Sequence, residues 1–477
     1  MQQEVEAPFC FQNGFQTLKR DFMGKCKFQD FGEKVCSVAC QDWRLLCSTG
    51  RKSSTAEQRL RLRIRSMSSG GKHKKIGDSS AGDEHCGNKG EIIEAVLVEG
   101  EHENTGEHAF RKITDLVFNT TFDGDDQVDF SSEFIGGEHA RIGEFIKIDE
   151  LRVLTLSNGV VIRFEEIIAL AGDFYGLPHQ PIIDPVDQED SGRHQRFTDA
   201  YNTLARSSKD ELQDELEKLL ATLHKEIESR EEVAAKIWDE ITGGIWFGGV
   251  PVKPGRMLKL AENNHDHFLP YAKHSYATGH QRAIEKAREA GNCRPEEAKR
   301  LLHEAFSMDA FACHFLTDSF ASGHIRTPRV ELGKGTKLGR DGHLLCKYMH
   351  DEDNKFGLRV TNKRGDKWIA FGDGMLLKEK SKDNLRIAAE AVQNSVNQVY
   401  EAYRNPGKVL DHAVVIDLVP FVDQEEPNNT PLFQVKDGKL HRRSDIYNLQ
   451  SKKTTTNWWG PTTAALLLVY DPKDSAI

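Results

Sequence analysis

The stretch from Glu296 to Arg329, EEAKRLLHEAFSMDAFACHFLTDSFASGHIRTPR, carries His314-x3-Asp318-x5-His324 among Leu301, Leu302, Ala305, Phe306, Phe311, Phe315 and Leu316. Its composition is strongly helical. Residues one turn apart leave the same face of a helix, so His314 and Asp318 share a face. Glycine tolerates the left-handed cap, which predicts a helix end near Ser322-Gly323 with His324 just beyond it. A His/Asp pair on a solvated helix needs no special explanation. On a helix set in apolar surroundings the polar groups must find partners, and two imidazoles with a carboxylate form a donor set that suits zinc. Nine of the chain's 19 histidines fall between His265 and His350, which concentrates ligand-type side chains around this helix.

A chain of 477 residues can hold one large domain or two ordinary ones. The net charge of −10 argues against nucleic-acid binding through bulk electrostatics. No apolar run reaches the length of a membrane span. The start, MQQEVEAPFCFQNG, has no basic segment leading into an apolar one, so no secretory signal is read and a cytoplasmic location is the default expectation. Six of the nine cysteines, Cys10, Cys26, Cys36, Cys40, Cys47 and Cys86, precede residue 90. Cys36-x3-Cys40 has no matching second pair for a zinc site, so these read as reduced thiols in a leader. Residues 1–90 are expected to be poorly ordered, rich in Ser, Gly, Lys and Arg, with the basic Arg59 to Arg65 tract solvated.

Ordered sequence is expected from Gly90 onward. Gly106 to Val117 reads as an amphipathic helix with His108 in its first turn. Arg152 to Phe164 reads as a hairpin turning at Asn158-Gly159. Phe164 to Ala171 reads as a buried helix that delivers Asp173, a carboxylate needing a cation or hydrogen-bond donors. Ser208 to Thr242 reads as one long helix with Leu212, Leu216, Leu219, Leu223 and Ile227 inward. Gly243 to Gly255 is an aromatic loop with Trp246 and Phe247, suited either to packing or to an apolar substrate or membrane surface. His265, Asp266 and His267 precede a helix from Pro270 to Ala290. His343 and His350 share one side of a later helix, a hairpin turns at Arg364-Gly365, and a helix runs from Asp383 to Arg404. Residues 406–477 read as an extension packed on the main domain, residues 91–405.

Taken in order, these segments resemble the zinc-dependent phospholipase C and P1 nuclease superfamily, in particular its bacterial phospholipase C-like branch. His314-x3-Asp318-x5-His324 has the spacing of the H-x3-D-x5-H core. HFLPYAKHSYATG, from His267 to Gly279, is similar to the helix after the family's preceding zinc histidine, with His265 or His267 in that histidine's place. ALAGDFYG, from Ala169 to Gly176, is similar to the segment bearing the metal-bridging aspartate, here Asp173. GEHAFRKIT, from Gly106 to Thr114, resembles the early helix whose first-turn histidine binds zinc, here His108. The likeness spans residues 90–405.

The resemblance implies a mainly α, multi-helix fold with small β-hairpin insertions and a cleft holding two or three zinc ions. It implies His108, Asp173, His265 or His267, His314, Asp318 and His324 as metal ligands, with Asp173 also catalytic. The implied activity is a phospholipase C that hydrolyses a phosphatidylcholine-like glycerophospholipid at a membrane surface to diacylglycerol and a phosphorylated head group, by attack of a metal-bound hydroxide. The alternatives are a zinc phosphodiesterase acting on single-stranded nucleic acid, and a non-catalytic, metal-stabilised lipid or protein binder. Two departures stand out. The family's last ligand pair is His-x3-Glu/Asp, but His343 is followed at that offset by Lys347 and His350 by Asn354. His350 with Asp353 is the preferred substitute, ahead of Asp351. The family's N-terminal tryptophan ligand has no counterpart near residues 90–107.

Overall fold

The computed structural model describes residues 62–66 and 93–97, then 136–458 with short breaks at 187–190, 230–232, 248–249, 336–339, 373–374 and 377, and Gly460, Thr463 and Leu467 beyond. The chain divides into two compact units, residues 1–118 and 119–477. In the first unit, Leu62–Ser66 pairs antiparallel with Ile93–Leu97. His108 lies outside the described residues.

The second unit is mainly helical, with small antiparallel sheets. Its axis is the helix Pro295–Asp318. Proline at its start gives up no needed hydrogen bond, and Glu296 and Glu297 in the first turn complement the helix dipole. From Glu304 to Asp318 every residue is buried, so this half of the helix is enclosed on all faces. Helices Tyr271–Gly291, Phe164–Leu170 and Lys382–Arg404 pack around it. Phe306, Phe311, Phe315 and Phe320 fill the space between them; fully burying each contributes about 1.5–3 kcal/mol. A Cβ at Gly279 would sit 2.2 Å from the Phe197 ring and 2.7 Å from Ala312, so glycine there permits the close approach of Tyr271–Gly291 to the central helix.

Two expected boundaries shift. The central helix stops at Asp318, and the backbone N–H of Ser319, Phe320 and Ala321 turn back onto its last carbonyls. A separate short helix, Ser322–Arg326, then carries His324. The long helix expected over 208–242 is two, Lys209–Ser229 and Ala235–Ile241. Glu226, near the end of the first, is buried, and its carboxylate accepts the backbone N–H of Gly137 at 2.9 Å and Val233 at 3.1 Å. Holding Val233 there turns the chain out of the helical path.

The Asn158-Gly159 and Arg364-Gly365 hairpins form as Val153–Thr155 with Val161–Arg163 and Leu358–Thr361 with Lys367–Ala370. Ile245–Phe247 also pairs antiparallel with Val250–Lys253 as a ribbon. After residue 405, Phe421–Val422 joins Leu358–Thr361. A second sheet, Phe433–Lys436, Lys439–Arg443 and Thr454–Thr455, follows. It is fastened by buried Arg443, whose guanidinium pairs with Glu352 at 2.7 Å. Among the described residues no helix is long and apolar enough to cross a membrane.

Candidate metal centre

His314 and Asp318 leave the same face of the central helix, both fully buried. Around them gather His139 from the helix Gly136–Glu144, Asp173 from the turn after Phe164–Leu170, His267 from the turn His265–His267, and His324. Asp318 is the hub, and its two oxygens face different pairs of imidazoles. Oδ1 lies 3.6 Å from His139 Nε2 and 3.4 Å from His324 Nδ1. Oδ2 lies 2.9 Å from His267 Nδ1 and 3.5 Å from His314 Nε2. Asp173 Oδ1 completes the second group at 3.7 Å from His314 Nε2 and 3.9 Å from His267 Nδ1.

Most of these separations exceed a hydrogen bond. They match the spacing of neighbouring ligand atoms around a tetrahedral ion with bonds of about 2.1 Å, which is about 3.4 Å. The ligand atoms of His139, His314 and Asp318 lie within 4.8 Å of one another, as do those of Asp173, His267 and His314.

Hydrogen bonds outside the cluster decide which ring nitrogens carry protons. His314 Nδ1 faces the Ile168 carbonyl at 2.8 Å. A carbonyl only accepts, so Nδ1 is the donor and Nε2 presents its lone pair to His267 Nδ1, 3.2 Å away, and beyond it to Asp318 and Asp173. His139 Nδ1 lies 2.7 Å from the Thr317 hydroxyl, which donates its own proton to the helix carbonyls of Cys313 and His314. His139 Nδ1 is therefore also the donor, and Nε2 faces Asp318 as a lone pair. Lone pairs of two imidazoles aimed at a carboxylate repel unless a cation stands among them, and orientation by such outer partners is how proteins prepare metal ligands. Among the described residues, neither ring nitrogen of His324 has a hydrogen-bond partner, nor does Asp318 Oδ1, although both residues are wholly buried. Buried polar atoms are seldom left so. Nitrogen and oxygen donors without thiolate, orphaned at this spacing, fit a divalent metal ion.

The electrostatics agree. Burial, with His314 beside it, holds His139 well below the ordinary imidazole range. Burial would favour a neutral Asp318, but His314, His267 and His324 around it hold its carboxyl well below the usual range. Burial also disfavours charge on His267, yet Asp318, Asp266 and Asp173 outweigh it and raise His267 to about 9. With no metal bound, a proton on His267 is thus the positive charge that Asp318 keeps near it.

Gly172 makes the convergence possible. Its φ is +76°, and a Cβ would lie 2.5 Å from the His314 ring and 2.6 Å from His267. Both rings rest against bare backbone beside Asp173. The Asp173 side chain is the open member, 14% exposed where those of His139, His314, Asp318 and His324 are at zero. A small cavity of about 30 Å³ reaches Gly172 and His267, walled by Tyr175, Leu260, Phe311 and Phe315 and by polar Gln180, Asn263, Asn264 and Asp266.

Other expected ligands sit elsewhere. His265 donates Nε2–H to the Ile183 carbonyl at 2.8 Å, and Asp266 accepts the Ile182 N–H at 2.8 Å, so these two clamp the neighbouring loop while His267 turns inward. Asp353 is taken by Arg326, at 2.6 and 2.8 Å to its two oxygens. His350 stands beside His324, with ring centroids 5.0 Å apart, but its Nδ1 lies 3.1 Å from Asp351 and its Nε2 3.0 Å from the Asn354 amide nitrogen. Burial pushes His350 down to about 4.

His139 is the cluster member that the sequence reading passes over. Its tetrapeptide, Gly137-Glu138-His139-Ala140, repeats Gly106-Glu107-His108-Ala109 letter for letter. That duplication is the signal that points to it. Compared with known protein families, with characterised proteins and with solved structures, the chain matches none.

Proposed function

We propose that this chain is a zinc-dependent phosphodiesterase of the phospholipase C type, cleaving a glycerophospholipid, with Asp318 central among the residues that would hold its metal. The observation that carries the reading is the division of Asp318 between His139 and His324 on one oxygen and His267 and His314 on the other, with Asp173 beside the second pair. In this reading His139, His324 and Asp318 hold one ion, and His267, His314, Asp173 and Asp318 hold the other. His314 has one lone pair to give, so it serves a single ion. Zinc, when bound, supplies Lewis acidity toward phosphodiester oxygens and lowers the pKa of water.

The chain's own residues do the rest. Asp173, the exposed carboxylate, orients the attacking water and takes its proton. Ile168 and Thr317 fix the tautomers of His314 and His139, so the site needs little reorganisation as charge builds on phosphorus. The cavity beside His267 sets apolar walls, Tyr175, Leu260, Phe311 and Phe315, next to polar Gln180, Asn263 and Asn264. Among the described residues no lysine or arginine lines it, whereas a groove for single-stranded nucleic acid uses basic side chains.

The test is to incubate zinc-loaded protein with phosphatidylcholine and, separately, with single-stranded DNA. Release of a water-soluble phosphorylated head group, abolished by a chelator and restored by zinc, is the expected result. Cleavage of DNA alone would move the activity to the nuclease class. Full zinc occupancy with neither substrate cleaved would leave a metal-stabilised binding protein.

A further inference from the structure

The ribbon Ile245–Phe247 with Val250–Lys253 projects apolar side chains into solvent. Phe247 is 81% exposed, Val252 67% and Ile245 55%. From Gly243 to Gly255 the sole charged residue is Lys253, in a chain where 29% of residues are charged. A freely solvated surface would carry about that same fraction of charge, so the depletion is local to the ribbon. It is firmly rooted. Buried Asp239 accepts the Trp246 indole N–H and the Gly255 N–H, each at 2.8 Å.

The root also connects to the metal centre. Trp238, next to Asp239, packs on Phe174 at 5.1 Å between ring centroids. Arg256, just past the ribbon, donates to the Phe174 carbonyl and lies over the Tyr175 ring at 5.0 Å. Phe174 follows Asp173, and Tyr175 walls the pocket. The ribbon thus stands on the turn that supplies the open carboxylate.

We propose that this ribbon is an interfacial anchor, inserting Ile245, Phe247 and Val252 into a lipid surface and holding the pocket against it. The proposal deepens the phospholipid reading and rests on it for the role of the anchor. Three exposed side chains on a narrow ribbon offer far less than the roughly 800 Å² per partner of a stable protein interface. A bilayer needs no matching shape. Lys253 is the charge placed to meet lipid phosphates, and it leads a molecule whose overall charge of −10 would otherwise be repelled.

The test is cosedimentation of the full-length protein with phosphatidylcholine vesicles, with and without phosphatidylserine. Phe247→Ser combined with Ile245→Ser should lower partitioning by at least about tenfold, the order expected for withdrawing an aromatic ring from an apolar phase. Val161→Ser, on another exposed hairpin, should leave partitioning unchanged, and both proteins should bind as much zinc as the parent. Equal partitioning of parent and double variant overturns the proposal, as does failure of the parent to bind any vesicle. So does a change in oligomeric state in place of a change in partitioning. Partitioning is read without turnover: a parent that binds vesicles through the ribbon but cleaves no lipid refutes the activity and keeps the anchor. Cleavage of a soluble short-chain phospholipid without vesicle binding does the reverse.

Discussion

The Thr317 hydroxyl lies 2.7 Å from His139 Nδ1 and hands its own proton to its helix, so it can only accept from the imidazole. Thr317→Val removes that acceptor and leaves a buried N–H unpaired, at a cost of about 1–3 kcal/mol. It also frees His139 to adopt the other tautomer. Zinc affinity, measured by competition with a chromophoric chelator, should fall about 10–100-fold. Thr317→Ser should recover most of it. Equal affinity for the valine and serine variants would show that the hydroxyl does not orient the ring.

Gly172 and Gly159 share nearly the same backbone, at φ of +76° and +81°, but not the same surroundings. A Cβ on Gly159 meets nothing within 4 Å, whereas one on Gly172 collides with His314 and His267. Gly159→Ala should cost about 1–2 kcal/mol of backbone strain and leave metal binding intact. Gly172→Ala carries that strain and pushes two ligands apart, so bound zinc should drop as well. Isothermal titration on both variants separates the two effects.

Those ligands show what can be read from letters alone. His314-x3-Asp318 was legible because its geometry is local: one helical turn fixes it wherever the helix lies. His324 was legible as a neighbour of the cluster, although it arrives on a helix of its own. His265 and His267 could not be told apart, since both sit in one tight turn and only the loop at Ile182-Ile183 decides which faces outward. Asp353 lies one turn from Met349 and next to its helix mates, yet its partner is Arg326, which no spacing rule reveals. His139 depends on how a distant helix docks on the central one, and the duplicate tetrapeptide at 106–109 competed for the same part. The helices were readable from their stripes, but the break after Ser229 came from one buried carboxylate, Glu226.

His350 gives the metal-free protein a definite acid sensitivity. Its folded pKa of about 4 lies below the ordinary 6.5, so the unfolded chain binds the extra proton as pH falls below about 6.5. Stability from this residue is present at pH 7, declines from about 6.5 and is fully lost below about 4. Between pH 7 and 5 the loss should be about 2 kcal/mol. Denaturant unfolding of metal-stripped protein, compared with His350→Gln, measures it; identical pH slopes would mean the ring is not held neutral by burial.

His314→Ala should abolish zinc binding to its group and any lipid cleavage. His303→Ala, which loses the Thr155 N–H contact at 3.0 Å, should cost about 1 kcal/mol of stability and keep the metal. For the parent, zinc at a hundredfold excess over its Kd should add about 2.7 kcal/mol to unfolding, and a chelator should remove it. Thermal melts with and without chelator check both statements.

Asn354 stands where a carboxylate would let His350 help hold a further ion. Its Oδ1 accepts the Gly323 N–H at 2.6 Å and the Ser322 hydroxyl at 3.0 Å, which fixes the amide so that its NH2 points at His350. That NH2 occupies the His350 Nε2 lone pair, while Nδ1 donates to Asp351. The imidazole is thereby spoken for on both sides, and two zinc ions rather than three are expected in the parent. Asn354→Asp keeps the shape and keeps an acceptor for Gly323 and Ser322, but replaces the donor facing His350 with an oxygen. Bound zinc should rise by one ion per chain, and the metal-free variant should be less stable than the parent because it buries an uncompensated charge. Elemental analysis of dialysed protein decides the matter. An unchanged zinc count would show that the amide is not what closes this position.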